Sequence, residues 1–178
     1  MSDDTINIVL TCDDRYAQHA AVTIVSVVKN TKRNVHFYVF DCGILPENLE
    51  RLKQLDVGSN VLEVIQVQKI DVFENYNYQQ CYSPAIMYRL ATCEILPHLD
   101  KALYLDSDVI AVRDVGELWD IDLGEKLLGA YDEHELKHKA CLAITPWARQ
   151  NNKCASWRYA LATVVRFLLK KMFCFILR

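Results

Sequence analysis

Short runs of apolar, β-branched and aromatic residues recur along residues 6–112 and predict the strands of a sheet. Residues 6–10 and 35–40 are two such runs, and each ends abruptly in polar residues, as a buried strand does where it enters a loop. Residues 61–67 alternate well enough between apolar and polar positions to predict a third strand. A fourth strand lies within residues 101–112, where it is interrupted by two aspartates.

Segments with helical patterns separate these runs. Residues 17–29 present a mostly apolar face of small residues and predict a crossover helix, although their many valines have modest helix propensity. Residues 46–55 open with a proline and carry leucines at helical spacing. Residues 83–95 open with a serine followed by a proline, which is the pattern of an N-cap and a first helical position. The alternation predicts an α/β domain with a mainly parallel sheet, whose ligands bind at the carboxyl ends of strands.

The pattern changes beyond about residue 145. Residues 145–157 are polar, contain tryptophan and show no clear periodicity. Residues 159–178 contain apolar runs broken by cations, which cannot span a bilayer because a spanning helix needs roughly 20 apolar residues. A helix here would be basic and amphipathic, with four cations in one sector: Arg166, Lys170, Lys171 and Arg178. We therefore expect a domain over residues 1–145 and a divergent basic, apolar tail over residues 146–178.

Composition excludes several classes of protein. Among the 178 residues, 52% are hydrophobic and 24% are charged, which is an ordinary globular mixture, and the net charge of -3 gives no footprint for nucleic acid. The seven cysteines are an odd number without a Cys-x-x-Cys pair, so reduced thiols fit better than a disulfide framework or a zinc site. The acidic start of the chain does not resemble a secretory leader, and we expect a cytoplasmic protein.

The clearest candidate chemistry is Asp106-Ser107-Asp108, directly after a predicted buried strand. In an extended segment, positions i and i+2 point the same way, so both carboxylates can reach one point. Carboxylates that lie close together repel each other unless a cation lies between them. A hard divalent ion accepts these oxygens together with those of a diphosphate, and it would neutralise a departing nucleoside diphosphate. Asp-x-Asp is also common by chance as a solvated turn or helix cap.

A second candidate is the polar loop 11–16, after the first predicted strand. The chain has no Gly-x-Gly-x-x-Gly in this loop and no P-loop motif anywhere, which disfavours a Rossmann dinucleotide site and a P-loop. The loop offers a carboxylate for a base N–H, the face of Tyr16 for stacking and Arg15 for a phosphate. The simpler interpretation is that Asp13 or Asp14 caps the following helix.

These segments together resemble the glycosyltransferases of family 8, which include bacterial lipopolysaccharide galactosyl- and glucosyltransferases. The order and spacing agree over roughly residues 6–132. The matching stretches are residues 8–16, 37–43, 88–90, 101–109 and 117–124. The resemblance implies a GT-A fold, a UDP-sugar donor, Mn²⁺ with Mg²⁺ as the alternative, and transfer with retention of the anomeric configuration.

The resemblance also implies roles for individual residues. Asp106 and Asp108 match the metal-binding pair of the family, and Arg89 matches a basic residue near the diphosphate and sugar. The nucleotide-sugar site that the resemblance implies consists of Thr11, Asp13, Tyr16, Arg89, Asp106, Ser107 and Asp132. Thr11, Asp13 and Tyr16 would meet the uridine, and Asp132 would lie near the donor sugar. Arg15 departs from the asparagine of close relatives, and no catalytic nucleophile is identified.

The departures are larger beyond about residue 145. Family members carry an Asn-x-Gly segment, acceptor-binding residues and a late histidine that completes the metal shell, and none of these is matched here. His134 and His138 lie in the wrong region to supply that ligand. We expect a truncation or frameshift that leaves the carboxyl end of the domain incomplete. The alternative is a short natural form whose basic tail contacts the cytoplasmic face of the inner membrane.

The expected function is transfer of galactose or glucose from UDP-galactose or UDP-glucose to a saccharide acceptor in lipopolysaccharide core synthesis. Two other functions stay open at this point. They are a module that binds UDP-sugar and metal without turnover, and an inactive remnant of a longer enzyme.

Overall fold

The computed structural model describes residues 5–67, 84–123, 128–130 and 174–177. Six strands form one sheet in the order β3-β2-β1-β4-β6-β5. They are β1 (Ile6–Cys12), β2 (Val35–Asp41), β3 (Val61–Gln66), β4 (Ala102–Leu105), β5 (Leu128–Ala130) and β6 (Cys174–Leu177). The first four are mutually parallel, and β6 runs antiparallel to both of its neighbours. This architecture confirms the predicted α/β domain with a mainly parallel sheet.

The strands form where the sequence predicts them because their side chains are buried on both faces. In β1, Ile6, Ile8 and Leu10 pack on one face of the sheet, and Val9 packs on the other. A strand buried on both faces reads as a continuous apolar run, which is the pattern of residues 6–10. The edge strand β3 is only half-buried and alternates accordingly.

The helices are α1 (Ala17–Asn30), α2 (Pro46–Lys53), α3 (Thr92–Ile95) and α4 (Gly116–Trp119). Helix α1 packs its buried residues against the sheet face that holds Ile8 and Leu10. Helix α2 begins at Pro46, the predicted first helical position, and buries Leu52. Both crossover helices are therefore confirmed.

The segment predicted as one helix over residues 83–95 contains two kinds of helix. Pro84–Ala91 is a 3₁₀ helix, and only Thr92–Ile95 is α-helical. The predicted N-cap Ser83 lies outside the described residues. The tighter helix buries Met87 and Arg89 under the sheet, so the packing of those side chains overrides a local pattern that favours an α-helix.

The far end of the chain contributes to the sheet. Cys174–Leu177 forms β6 and pairs with β4 in the register Leu103↔Ile176. These four residues are therefore a strand and not part of the amphipathic helix considered for residues 159–178; the rest of that segment lies outside the described residues. Within the described part of the chain, no helix is long and apolar enough to cross a membrane.

Candidate functional site

The carboxyl ends of β1 and β4 meet at one edge of the sheet, where both candidate motifs lie. The strands are parallel, with Val9 opposite Tyr104. The Thr11 hydroxyl lies 2.8 Å from the Tyr104 hydroxyl, and both side chains are buried. The Ser107 hydroxyl donates to the Thr11 carbonyl at 2.6 Å. These hydrogen bonds connect the polar loop after β1 to Asp106-Ser107-Asp108 after β4, which we call the aspartate turn.

Asp106 faces inward and pairs with Arg89. A guanidinium nitrogen of Arg89 lies 3.1 Å from Asp106 Oδ1. The Arg89 side chain is only 7% exposed, and the Asp106 side chain is 18% exposed. The Arg89 guanidinium also stacks 4.9 Å from the centre of the Tyr104 ring. Burial raises the pKa of the Asp106 carboxyl, while Arg89 opposes this rise and Asp108 adds slightly to it. The net effect is a raised pKa of Asp106, which the charge of Arg89 and a hydrogen bond from Tyr104 limit.

Asp108 lies in a different environment, because it is exposed. Strand β4 ends at Leu105, so Asp106-Ser107-Asp108 forms a turn instead of the extended segment assumed from the sequence. The argument that alternate positions of a strand point the same way therefore does not apply. The turn arises because the Ser107 side chain is drawn inward to the Thr11 carbonyl. The two carboxylates are nonetheless close enough for Asp108 to raise the pKa of Asp106.

The aspartate turn suits a divalent cation in the chemistry of its donors. Both side chains offer hard carboxylate oxygens, and the repulsion between them is what a cation relieves. A small cation such as Mg²⁺ is commonly held by one or two carboxylates and completes its shell with phosphate oxygens and water. Among the described residues there is no cluster of three or more His, Cys, Asp or Glu side chains that could hold a metal.

In the β1 loop, the two aspartates serve as caps. Asp13 accepts a hydrogen bond from the Tyr16 amide at 3.3 Å and caps the short 3₁₀ turn Asp14–Tyr16, as the simpler interpretation of the sequence expected. Asp14 instead accepts from the Leu45 amide and from the Asn48 side chain, both at 2.9 Å. It therefore caps α2, a helix that begins more than thirty residues later.

Tyr16 is the exposed aromatic residue of this loop. Its side chain is 43% exposed, and its ring lies 5.4 Å from the His19 ring. An exposed aromatic face beside a polar strand end is suited to stacking on a planar ligand. The Thr11 hydroxyl is less accessible to a ligand than the Tyr16 ring, because it is buried and hydrogen-bonded to Tyr104.

Sequence reasoning missed Tyr104 and Thr23. Tyr104 reads as one more apolar residue of a buried strand, yet its hydroxyl and ring contact Thr11 and Arg89. Thr23 sits inside α1 and donates to the backbone of the aspartate turn. A tyrosine or a threonine within a mostly apolar pattern is the signal in the sequence that could have indicated either residue. Asp132, His134 and His138 lie outside the described residues.

The cysteine next to the site is not a nucleophile at neutral pH. Cys12 ends β1, and burial, with help from the neighbouring aspartates, raises the pKa of its thiol to about 12. The thiolate is the reactive form, so this side chain is a small buried hydrophobe, as the sequence predicts.

Several proteins similar to this chain in sequence are named glycosyltransferases. The sequence model of the family described as Glycosyl transferase family 8 matches residues 7–169. A putative glycosyltransferase of Haemophilus influenzae is 32% identical over 71% of this chain and 38% of its own length. A lipopolysaccharide 1,2-glucosyltransferase of Escherichia coli is 29% identical over 65% of this chain and 34% of its own. The chain spans less than half the length of the curated relatives it matches.

A solved structure shares the fold. The galactosyltransferase LgtC, in complex with donor and acceptor sugar analogues, is 32% identical and superposes with a TM-score of 0.62. The superposition covers 70% of this chain and 46% of that one. The fold described above is therefore the GT-A fold of glycosyltransferases.

Proposed function

Because the chain belongs to glycosyltransferase family 8, we propose that it holds the donor site of a hexosyltransferase that uses UDP-galactose or UDP-glucose. The acceptor we propose is a saccharide of the lipopolysaccharide core. This acceptor follows from the similarity to a lipopolysaccharide glucosyltransferase. The cytoplasm, with peripheral contact at the inner membrane, is the proposed location.

One observation carries the proposal: Arg89, Asp106 and the β1 loop meet at the carboxyl ends of adjacent parallel strands. A buried arginine paired with a carboxylate at 3.1 Å keeps one cation and one anion at the base of the site. An open sheet binds its ligands at this edge, where strand ends and loops form a crevice. A nucleoside diphosphate has a planar base and a charged diphosphate. The exposed Tyr16 ring suits the base, and the charged pair of Arg89 and Asp106 suits the diphosphate and its cation.

Each side chain has a distinct task in this proposal. Tyr16 stacks on the uracil, and Asp13 presents a carboxylate oxygen toward a base N–H. Arg89 offsets negative charge that develops as the diphosphate departs, since it lies within reach of the same turn. Thr11 and Ser107 have a structural task, because their hydroxyls bond to protein partners. The Thr11 hydroxyl bonds to the Tyr104 hydroxyl, and the Ser107 hydroxyl donates to the Thr11 carbonyl.

Asp106 and Asp108 would hold Mn²⁺ or Mg²⁺. A divalent cation, when bound there, supplies Lewis-acid stabilisation of the leaving diphosphate. The Arg89 guanidinium, 3.1 Å from Asp106, favours the charged form of that carboxyl against the effect of burial on its pKa. Asp108 is exposed, and its carboxylate would supply the second oxygen.

Calorimetric titration with UDP tests the donor site. We expect UDP to bind the chain only when Mn²⁺ is present, and we expect the Asp106→Asn/Asp108→Asn variant to lose that binding. The matched control is Glu47→Gln/Glu50→Gln, which neutralises two exposed carboxylates on α2 and should bind as the parent chain does. Circular dichroism of all three proteins establishes that each is folded.

The outcomes separate the alternative functions. Metal-dependent binding together with UDP release from UDP-galactose or UDP-glucose, with transfer to an acceptor, supports the transferase. Binding without any transfer favours a module that holds UDP-sugar without turnover. No binding of UDP by the folded chain, with or without Mn²⁺, would contradict the donor site.

A further inference from the structure

Residues 107–111 leave the sheet after β4 and run along α1, held by side chains of that helix. Thr23, Ser26 and Asn30 lie on one face of α1, at spacings of three and four residues. Each hydrogen-bonds to the backbone of residues 107–111. We call these three side chains the polar ladder.

Thr23 lies at the end of the polar ladder nearest to the aspartate turn. It is fully buried, and its hydroxyl lies 2.9 Å from the Ser107 carbonyl and 2.8 Å from the Val109 carbonyl. These two carbonyls belong to the residues on either side of Asp108. The Thr23 hydroxyl therefore contacts the backbone on both sides of Asp108, the exposed residue of the aspartate pair.

The polar ladder continues along the helix. The Ala111 amide donates to the Ser26 hydroxyl at 2.9 Å, and the Asn30 side chain donates to the Ala111 carbonyl at 2.9 Å. Ser26 also donates to the Thr23 carbonyl at 2.7 Å, and Asn30 donates to the Ser26 carbonyl at 2.9 Å. The backbone beyond the turn is thus fixed to α1 at three levels.

We propose that Thr23 is a positioning residue for Asp108. By holding the backbone on both sides of Asp108, Thr23 sets the separation of the two carboxylates and hence the affinity of the aspartate turn for a divalent cation. The inference rests on the proposed role of Asp106 and Asp108 as metal ligands. A ligand on a turn is effective when its own conformation is already fixed, because binding then orders little further. Residues that orient metal ligands typically change metal affinity by roughly 10–100-fold when they are removed.

The first test needs no ligand. Hydrogen exchange of the backbone amides is compared between the parent chain and Thr23→Val, which keeps the shape of the side chain and removes its donor. We expect residues 107–111 to exchange roughly tenfold faster, with no change in β1 and β2. Thr23→Ser, which keeps the hydroxyl, should restore protection. Thr31→Val is the matched control, since the Thr31 hydroxyl bonds to Val115 instead of the turn.

The second test measures Mn²⁺ affinity by calorimetry in the presence of UDP. We expect Thr23→Val to weaken it by about tenfold, and Thr23→Ser and Thr31→Val to stay within about twofold of the parent chain. If Thr23→Val does not fold, Ser26→Ala replaces it, with the same direction and a smaller effect. Ser26→Ala keeps Thr23 in place and removes the acceptor of the Ala111 amide.

The results distinguish this inference from the proposed function. Faster exchange with weaker Mn²⁺ binding supports the positioning role of Thr23. Unchanged exchange, or faster exchange with unchanged Mn²⁺ affinity, overturns it while leaving the metal site intact. Loss of metal-dependent UDP binding in the parent chain itself contradicts the proposed function, and with it the role of Thr23 toward a metal.

Discussion

Asp106 and Asp108 are two residues apart but differ in what surrounds them. Asp106 is half-buried against Arg89, whereas Asp108 is exposed on the turn. Their difference follows from Ser107, which points inward between them and bonds to the Thr11 carbonyl. A pair built in this way combines one carboxylate whose position is fixed by protein contacts with one that is open to a ligand.

Removal of the Arg89 charge should raise the pKa of Asp106. Burial raises that pKa, whereas Arg89 and a hydrogen bond from Tyr104 lower it, so Arg89→Gln removes the larger of the two effects that oppose burial. Carbon-13 NMR titration of the metal-free protein measures the change. We expect the carboxyl of the variant to stay protonated to a higher pH. Because the folded-state pKa lies above the unfolded one, ionisation costs stability as pH rises through it, and this loss should be larger in the variant.

The control for this titration is Arg113→Gln. The Arg113 guanidinium pairs with Glu117 at 2.9 Å on the surface, away from the turn. Its removal should leave the Asp106 pKa where it is. A pKa of Asp106 that is the same in Arg89→Gln and in the parent chain would contradict the electrostatic role given to Arg89.

The sequence could indicate the candidate site residues, but it could not indicate their contacts. Asp106 and Asp108 stand out because two carboxylates follow a buried strand. The inward turn of Ser107 and the Thr11–Tyr104 bond are tertiary contacts between residues more than ninety positions apart. No local pattern specifies such contacts, so the geometry of the pair could only be read from the structure.

At the scale of elements, α2 depends on a residue from another loop. Its N-cap position, Leu45, has no side chain that can cap, and the Leu45 amide is satisfied by Asp14. The helix is thereby joined to the β1 loop, which carries Tyr16. The sequence led us to expect that an aspartate caps the helix directly after it, which holds for the 3₁₀ turn capped by Asp13.

Asp14 should stabilise the protein in a pH-dependent way. Hydrogen bonds from the Asn48 side chain and the Leu45 amide lower the pKa of Asp14 below its ordinary value. A carboxyl with a lowered folded-state pKa contributes stability above the unfolded value, and this is lost as pH falls through the folded value. Thermal unfolding of Asp14→Ala should therefore show a lower Tm than the parent chain at pH 7. The difference should shrink below pH ~4.

Exposed Asp56 provides the comparison for Asp14. Within the part of the chain that the structure describes, its hydrogen bond is with the Gly58 amide, inside its own turn. Asp56→Ala should lower the Tm less than Asp14→Ala does at pH 7. Equal effects of the two substitutions, or an Asp14 effect that persists unchanged at low pH, would count against the link between the β1 loop and α2.

The central strands should carry far more stability than the edge strand. Phe37 in β2 is fully buried, whereas Val61 in β3 is 51% exposed. Phe37→Ala removes a large side chain from a packed core and should lower the free energy of unfolding by about 3–5 kcal/mol. Val61→Ala should change it by about 0.5 kcal/mol or less. Urea unfolding curves of both variants measure these values, and similar costs would contradict the description of the core.

At the scale of the whole molecule, the sheet joins distant parts of the chain. The parallel strands β1, β2, β3 and β4 arise from the crossover pattern that the sequence predicts, since each apolar run is followed by a helical segment. Strand β6 was not predicted, because four apolar residues in a basic segment fit a helix equally well. The division of the chain into residues 1–145 and a tail over residues 146–178 stays a prediction.

A proline in strand β6 tests whether the carboxyl-terminal strand unfolds together with the rest of the sheet. Strand β6 lies between β4 and β5, with Ile176 opposite Leu103 on one side and Gly129 on the other. Every backbone amide of a strand with two neighbours faces one of them, so a proline in β6 breaks a ladder hydrogen bond wherever it is placed. The same change opens the edge of β4, the strand that leads into the aspartate turn.

Ile176→Pro should lower the free energy of unfolding by roughly 2–4 kcal/mol, from the lost hydrogen bond and the unpaired carbonyl it leaves. Ile176→Val keeps the amide and the β-branched shape, and should cost about 0.5–1.5 kcal/mol at most. Urea unfolding followed by tryptophan fluorescence compares the two variants with the parent chain. If Ile176→Pro unfolds as the parent chain does, β6 contributes nothing to the cooperative fold and residues 146–178 form a tail apart from it. A loss confined to the proline variant instead makes β6 part of the support on which β4 and the aspartate turn depend.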